Sequence, residues 1–130
     1  PGCCDAVSGV NQNCYRAQSF ATARSLAALL DLPQGTWEVG FQSRLGRTPW
    51  IRPFSDEIYE SLPAKGVKKL AVLTPSFVAD CLETLEEVQL RGEEAFRKAG
   101  GESLKLVPSL NTHQAWVKAA AKLVATALPA

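Results

Sequence analysis

The sequence contains no methionine, a single histidine (His113) and no excess of charge of either sign. With 14 basic against 13 acidic side chains, and no run of lysine or arginine, the chain lacks the electrostatic surface that binds nucleic acid. One histidine without a serine or cysteine partner pattern does not support a catalytic triad or a cysteine–histidine pair. We therefore expect no nucleic-acid partner and no hydrolytic nucleophile.

Long apolar runs and phosphate-binding motifs are also missing. No apolar stretch approaches the ~18 residues that cross a bilayer, and no basic segment followed by an apolar one opens the chain. No glycine-rich phosphate loop follows a predicted strand, so a nucleotide ligand is not favoured. We expect a cytoplasmic protein, with a peripheral membrane contact left open. Because the chain begins at Pro1 without a methionine, we expect that processing or excision from a longer protein produced this end.

The composition is that of one folded domain over residues 1–130, since 46% of the residues are hydrophobic and 21% are charged. A core of this size needs no disulfides, which favours a reducing compartment. Residues 1–14 read as a loop that carries Cys3, Cys4 and Cys14. Zinc and iron–sulfur clusters as a rule need four soft ligands, and these thiols match no standard pair spacing. Free thiols are therefore favoured over a metal site.

Helix and strand patterns alternate along the rest of the chain. The sequence predicts helices over residues 13–32, 55–64, 80–99 and from a cap at Asn111 or Thr112, and strands over 36–41, 70–73 and 103–107. This order predicts an α/β fold, a three-layer α/β/α domain with a mostly parallel sheet. Ligands of such sheets bind beyond the carboxyl ends of the strands. The loops after residues 41, 73 and 107 should therefore converge.

The first of these loops carries Arg44, Arg47 and Trp50. Guanidinium groups pair with carboxylates and an indole offers a stacking face, so this loop suits a flat, anionic or aromatic ligand. The alternative is that Trp50 packs in the core and that the arginines are solvated.

The second loop leads into Asp80, Glu83 and Glu87, whose spacing places three carboxylates on one helical face. Repulsion among them predicts that at least one pKa is raised, which suits proton uptake or cation binding. From spacing alone, however, a capping box is favoured, in which Asp80 caps the helix and Glu83 bonds back to it.

Several blocks of this sequence together resemble one family. FQSRLGRTPW (41–50), DCLETLEE (80–87), AGGE (99–102) and VPSLN (107–111) are similar to the C-terminal half of bacterial ferrochelatases. That family inserts ferrous iron into a porphyrin in haem biosynthesis. The resemblance implies a chelatase-like, Rossmann-like half domain, with ferrous iron and a porphyrin, protoporphyrin IX or coproporphyrin III, as substrates. It also implies the N-terminal half of the same enzyme as a partner.

The resemblance assigns a role to each matched residue. Glu83 is the catalytic carboxylate that accepts a pyrrole proton, and with Glu87 it handles the metal. Asp80 and Glu87 continue an acidic face along which protons or metal pass. Trp50 and Phe77 line the porphyrin pocket. Arg44 and Arg47 are also predicted to bind the porphyrin, because their guanidinium groups pair with carboxylates.

The chain also departs from the family pattern. His113 does not match the family's catalytic histidine, and Cys81 stands where histidine is common, so we expect this chain to be inactive alone. Some members carry a two-iron two-sulfur cluster, and Cys3, Cys4 and Cys14 resemble part of such a ligand set, with Ser19 where a fourth cysteine is expected. The alternatives are a stand-alone domain that binds tetrapyrrole or metal, and a half-size chelatase that completes its cleft as a homodimer.

Overall fold

The computed structural model describes residues 2–43 and 46–127. The chain divides into two compact units, Pro1–Ser61 and Leu62–Ala130. Each unit has buried side chains of its own.

The first unit opens with turns, as predicted for residues 1–14. The Asn11 side chain holds them, because its Oδ1 accepts a hydrogen bond from the Ser8 N–H at 2.7 Å and its Nδ2 donates to the Ala6 carbonyl at 3.0 Å. Helix α1 then runs over Tyr15–Leu29. Its two buried residues are Ala17 and Ala27; of these only Ala27 belongs to the predicted apolar stripe, in which Tyr15 and Leu30 are exposed.

The strand predicted over residues 36–41 is wrong. Thr36 lies in a turn, where its N–H and its hydroxyl both donate to the Pro33 carbonyl. The only pairing in this segment is an isolated parallel bridge between Phe41 and Phe54. An alternating pattern forms a strand only where a neighbouring backbone pairs with it, and here that pairing is limited to one position.

Helix α2, Ser55–Ser61, follows this bridge and completes the buried part of the first unit. Phe41, Phe54 and Tyr59 are each less than a tenth exposed. The Phe20 ring lies 6.2 Å from that of Phe41 in a tilted arrangement. Burial raises the pKa of Tyr59 to about 12, so its phenol is neutral at physiological pH.

The second unit is built on a parallel pair of strands. Strand β1, Lys69–Val72, pairs with β2, Ser103–Leu106, in the register Lys69 to Ser103 and Val72 to Leu106. Both strands lie within one residue of their predicted positions. The predicted α/β class with a parallel sheet is confirmed, and in the residues described the sheet has two strands.

The connection between β1 and β2 is helical but differs from the predicted α-helix. A π-helix spans Glu83–Gly92, and helix α3 continues it over Glu93–Lys98. The side-chain pairs follow this change, since Glu86 pairs with Arg91 five residues on, the hydrogen-bond period of a π-helix. In α3 the pairs are four residues apart, as between Glu93 and Arg97 at 2.8 Å.

Glycines end α3 as predicted. The Gly100 N–H donates to Arg97 and the Gly101 N–H to Phe96, the two bonds of a Schellman motif. Gly100 has a φ of 101°, which a residue with a side chain rarely adopts. Gly101 packs so tightly that an added Cβ would overlap the fully buried Phe96 ring.

The last helix, α4, spans Gln114–Ala127 and contains no buried residue. Val117, Leu123 and Val124 on it are 45%, 65% and 60% exposed. Within residues 2–43 and 46–127, no helix combines the length and apolar character required to cross a membrane.

Candidate functional site

The loops at the carboxyl ends of β1 and β2 meet at Asp80. One of its carboxylate oxygens, Oδ2, accepts a hydrogen bond from Asn111 Nδ2 at 2.8 Å, and the other, Oδ1, accepts one from the Ser109 N–H at 3.2 Å. In the opposite direction, the Asp80 N–H donates to Asn111 Oδ1 at 2.9 Å. The predicted convergence of these two loops is therefore confirmed. The loop that carries Trp50 belongs to the first unit.

The Thr84 hydroxyl fixes the turn between Asp80 and the π-helix. Thr84 is fully buried, and its Oγ1 accepts a hydrogen bond from the Cys81 N–H at 3.0 Å. The same hydroxyl lies within donor range of Asp80 Oδ1, at 3.2 Å, and of the Cys81 carbonyl, at 3.0 Å. The capping-box interpretation is wrong, because Asn111 and not Glu83 accepts from the Asp80 N–H.

Hydrogen bonds lower the pKa of two of the three predicted carboxylates. The hydrogen bond from the Asn111 side chain, and to a smaller extent that from the Ser109 N–H, holds the pKa of Asp80 below its usual range. A hydrogen bond with the Cys81 side chain, followed by one from its own N–H, lowers the pKa of Glu83. The sequence predicts that repulsion raises the pKa of at least one of the three carboxylates. The pKa values of Asp80 and Glu83 are lowered instead. For both groups the hydrogen bonds that favour the charged form outweigh the opposing effect of desolvation, and both carboxylates are ionised at neutral pH.

Glu83 begins the π-helix, and Glu87 follows less than one turn later. The Arg91 guanidinium donates to the Glu86 carboxylate. This bond, and to a smaller extent the charge of Glu87, raises the pKa of Arg91. In the part of the chain that the structure describes, no group of three or more His, Cys, Asp or Glu side chains is placed to hold a metal ion. Metal handling by Glu83 and Glu87 stays a prediction.

The residues predicted to contact a porphyrin are distributed over both units. Trp50 is 41% exposed, and its indole N–H donates to the Gln42 carbonyl at 2.9 Å, which excludes a role as a core plug. Arg47 is exposed in the same loop, whereas Arg44 lies outside the described residues. Phe77 is half-buried in the second unit, in a turn closed by its N–H and the Thr74 carbonyl.

All four cysteines are free thiols. Cys3 and Cys4 have sulfur atoms 3.7 Å apart, and the buried Cys4 sulfur accepts a hydrogen bond from Arg16 at 2.9 Å. Cys14 is exposed at the N-cap of α1. Because a two-iron two-sulfur cluster needs four ligands and only two of these sulfurs are in contact, the residues of this chain do not complete such a site.

The role of Asn111 did not emerge from the sequence, which predicts a cap of α4 at Asn111 or Thr112. Asn111 adopts a left-handed conformation with a φ of 47°, and its N–H donates to the Val78 carbonyl. The side chain at the start of α4 is His113 instead, whose Nδ1 accepts from the Ala115 N–H at 3.3 Å. The signal available in the sequence was residue type, since asparagine tolerates left-handed backbone better than most residues.

The motifs that surround this site match one family over nearly the whole chain. The family model described as Ferrochelatase matches residues 5–128. The chain belongs to the ferrochelatase family. It is 50% identical to the ferrochelatase of Coxiella burnetii (strain Dugway 5J108-111) over 125 residues, which cover 96% of this chain and 35% of that protein.

Two further ferrochelatases are similar to this chain to the same degree. That of Pseudomonas fluorescens (strain SBW25) is 55% identical over 118 residues, 90% of this chain and 35% of that protein. That of Azotobacter vinelandii (strain DJ) is 51% identical over 125 residues, 95% of this chain and 37% of that protein. The chain thus spans about a third of the length of the curated relatives it matches, less than the half that the resemblance predicts.

Proposed function

We propose that this chain is part of an enzyme that inserts ferrous iron into a porphyrin, and that Glu83 accepts a pyrrole proton in that reaction. Membership of the ferrochelatase family supports the reaction. The observation that carries the assignment of Glu83 is its place at the first position of the π-helix, next to the turn where the loops after β1 and β2 meet. It is a charged acceptor beside the loops where α/β folds bind ligands.

The charge balance of the reaction requires such an acceptor. A free-base porphyrin carries two N–H protons, and ferrous iron replaces both of them as it enters the ring. An ionised carboxylate takes up one of these protons without first losing one of its own, and the second is released to solvent. The Cys81 side chain and the Glu83 N–H both donate to this carboxylate and favour its ionised form.

Glu83 and Glu87 are proposed as a transit contact for the iron. Carboxylate oxygens are hard ligands that bind divalent ions, and affinity rises with the number of ligands and their charge. Iron is a substrate here and must leave for the ring, so a pair of carboxylates suits its passage better than a complete ligand set.

The porphyrin contacts are proposed residue by residue. Trp50 offers an exposed indole face and Phe77 a half-exposed ring for stacking on the macrocycle. Arg47, together with Arg44 of the same loop, pairs with the carboxylate side chains that both protoporphyrin IX and coproporphyrin III carry.

The rest of the polypeptide is proposed as the partner that completes the enzyme. The relatives are almost three times as long as this chain, and His113 does not match the family's catalytic histidine. We therefore propose that this chain does not insert iron by itself. A separate proposal is that the complete enzyme acts in the cytoplasm. No step of the proposed reaction passes through a cluster on Cys3, Cys4 and Cys14. A homodimer of this chain is the alternative, and it requires activity from the chain alone.

The test compares four samples for the loss of porphyrin fluorescence on addition of ferrous iron under anaerobic conditions. The complete enzyme should turn over, the Glu83→Gln variant of it should be slower by about 100- to 10,000-fold, and this chain alone should be inactive. The fourth sample, Glu94→Gln, is the matched control, because Glu94 is 63% exposed and pairs with Lys98 on the surface of α3. Full turnover by Glu83→Gln contradicts the role of Glu83.

A further inference from the structure

Asp80 and Asn111 bind each other in both directions across the two loops that follow the parallel strands. The Asn111 amide donates to the Asp80 carboxylate at 2.8 Å, and the Asp80 N–H donates to the Asn111 amide oxygen at 2.9 Å. The two residues are 31 positions apart, so this pair joins the loop after β1 to the loop after β2.

The Asp80 carboxylate is already engaged by neighbouring groups. Asn111 donates to its Oδ2, whereas the Ser109 N–H and the Thr84 hydroxyl lie at 3.2 Å from its Oδ1. These donors favour the ionised form of the group and direct it toward the loop after β2. A carboxylate held in this way is poorly placed to receive protons or iron from an acidic face.

The same contacts reach the start of the π-helix. Thr84, fully buried, follows Glu83 directly and touches both Asp80 and the Cys81 backbone. Cys81 in turn bonds with the Glu83 side chain. A displacement at Asp80 is therefore transmitted within one turn to the Glu83 carboxylate.

We propose that Asp80 and Asn111 form a positioning pair that anchors the first turn of the π-helix to the loop after β2 and so sets the position of the Glu83 carboxylate. This inference rests on the proposed function only in naming Glu83 as the group that is positioned. It replaces the role in a proton or metal path that the family resemblance gives to Asp80.

A swap of the two side chains separates these roles. In the complete enzyme, Asn111→Asp sets two carboxylates against each other, and Asp80→Asn sets two amides against each other. The double variant, Asp80→Asn with Asn111→Asp, restores a donor opposite an acceptor, and the new aspartate can still accept from the N–H of residue 80. It moves the negative charge from position 80 to position 111.

We expect each single variant to lower kcat by up to about 100-fold, as for a catalytic group displaced by about 1 Å, with the KM for porphyrin unchanged. The double variant should recover most of this loss. Amide hydrogen exchange at Ser109 and Asp80 should become faster in the single variants and return to its original rate in the double variant. Asn13→Asp, the same amide-to-acid change at an exposed site in the first unit, should alter neither quantity.

Two results overturn the proposal. If kcat stays low in the double variant while the exchange rates recover, the carboxylate at position 80 is itself required. If the single variants change neither kcat nor exchange, the pair positions nothing. The Glu83→Gln variant, measured in the same assay, tests separately whether Glu83 is needed for the reaction. Amide exchange at Ser109 reports on the Asp80–Asn111 pair even if Glu83 proves dispensable.

Discussion

Asn111 donates a hydrogen bond to Asp80 across 2.8 Å and receives one from the same residue at 2.9 Å. This mutual pair connects the loops that follow the two parallel strands, just before the π-helix that begins at Glu83. Its first consequence concerns the charge of Asp80, whose pKa is lowered chiefly by Asn111.

The lowered pKa of Asp80 predicts an acid-dependent contribution to stability. A carboxyl group with a lower pKa in the folded state stabilises that state above its unfolded pKa of about 4, and the contribution is lost as pH falls through the folded value. Asp80→Asn should therefore reduce the free energy of unfolding of the complete protein at pH 7. The difference between the two proteins should shrink below about pH 4. A difference that is constant from pH 7 to pH 3, by urea denaturation, contradicts this.

Thr84→Val should destabilise the turn that precedes the π-helix. Valine has nearly the shape of threonine but leaves the half-buried Cys81 N–H without its acceptor, which costs about 1 kcal/mol, the low end of the range for an unsatisfied donor. Thr36→Val is the control, since its hydroxyl bond to Pro33 is exposed, and a surface change of this kind stays within about 0.5 kcal/mol. Equal effects of the two substitutions on chemical denaturation would refute the buried role of Thr84.

Gly101→Ala should destabilise the second unit because the new methyl group overlaps the Phe96 ring, which has no exposed surface. Overpacking of this kind costs about 1–3 kcal/mol. Gly9→Ala serves as the control, since nothing lies within 4 Å of a Cβ at that position. The melting temperature of the complete protein should fall for Gly101→Ala only, and an unchanged value would mean that the ring moves aside freely.

The elements predicted best are those whose signal is local. Strand β1 follows an apolar run and strand β2 a segment in which polar and apolar residues alternate, and the structure places both within one residue of the prediction. Helix α1 follows from its apolar spacing, and the end of α3 follows from Gly100. In each case the signal lies within the element or directly at its end.

The elements predicted wrongly depend on partners that the local pattern does not contain. Residues 36–41 alternate as a strand does, but within the first unit only Phe41 pairs, with Phe54. The π-helix was predicted as an α-helix because Glu83 and Glu87 are four residues apart, and the pair with the π spacing is Glu86 and Arg91. Asp80 fits a capping box by spacing, and only the folded chain brings Asn111 to it.

Binding of porphyrin should quench the fluorescence of Trp50. This indole is 41% exposed, and its face is proposed to stack on the macrocycle. In a titration of the complete enzyme, Trp50→Phe should remove the largest single part of the quenching and weaken binding. Trp116→Phe, on α4, should keep both. Undiminished quenching and affinity in Trp50→Phe would take Trp50 out of the pocket.

We propose that Glu83 acts on the bound porphyrin and does not merely help to bind it. The most direct test combines equilibrium porphyrin affinity and the single-turnover rate of iron insertion for the Glu83→Gln variant of the complete enzyme. We expect a Kd within about twofold of the parent and a rate lower by roughly 100-fold or more, the effect of losing a proton acceptor. A rate close to that of the parent at unchanged affinity would contradict it.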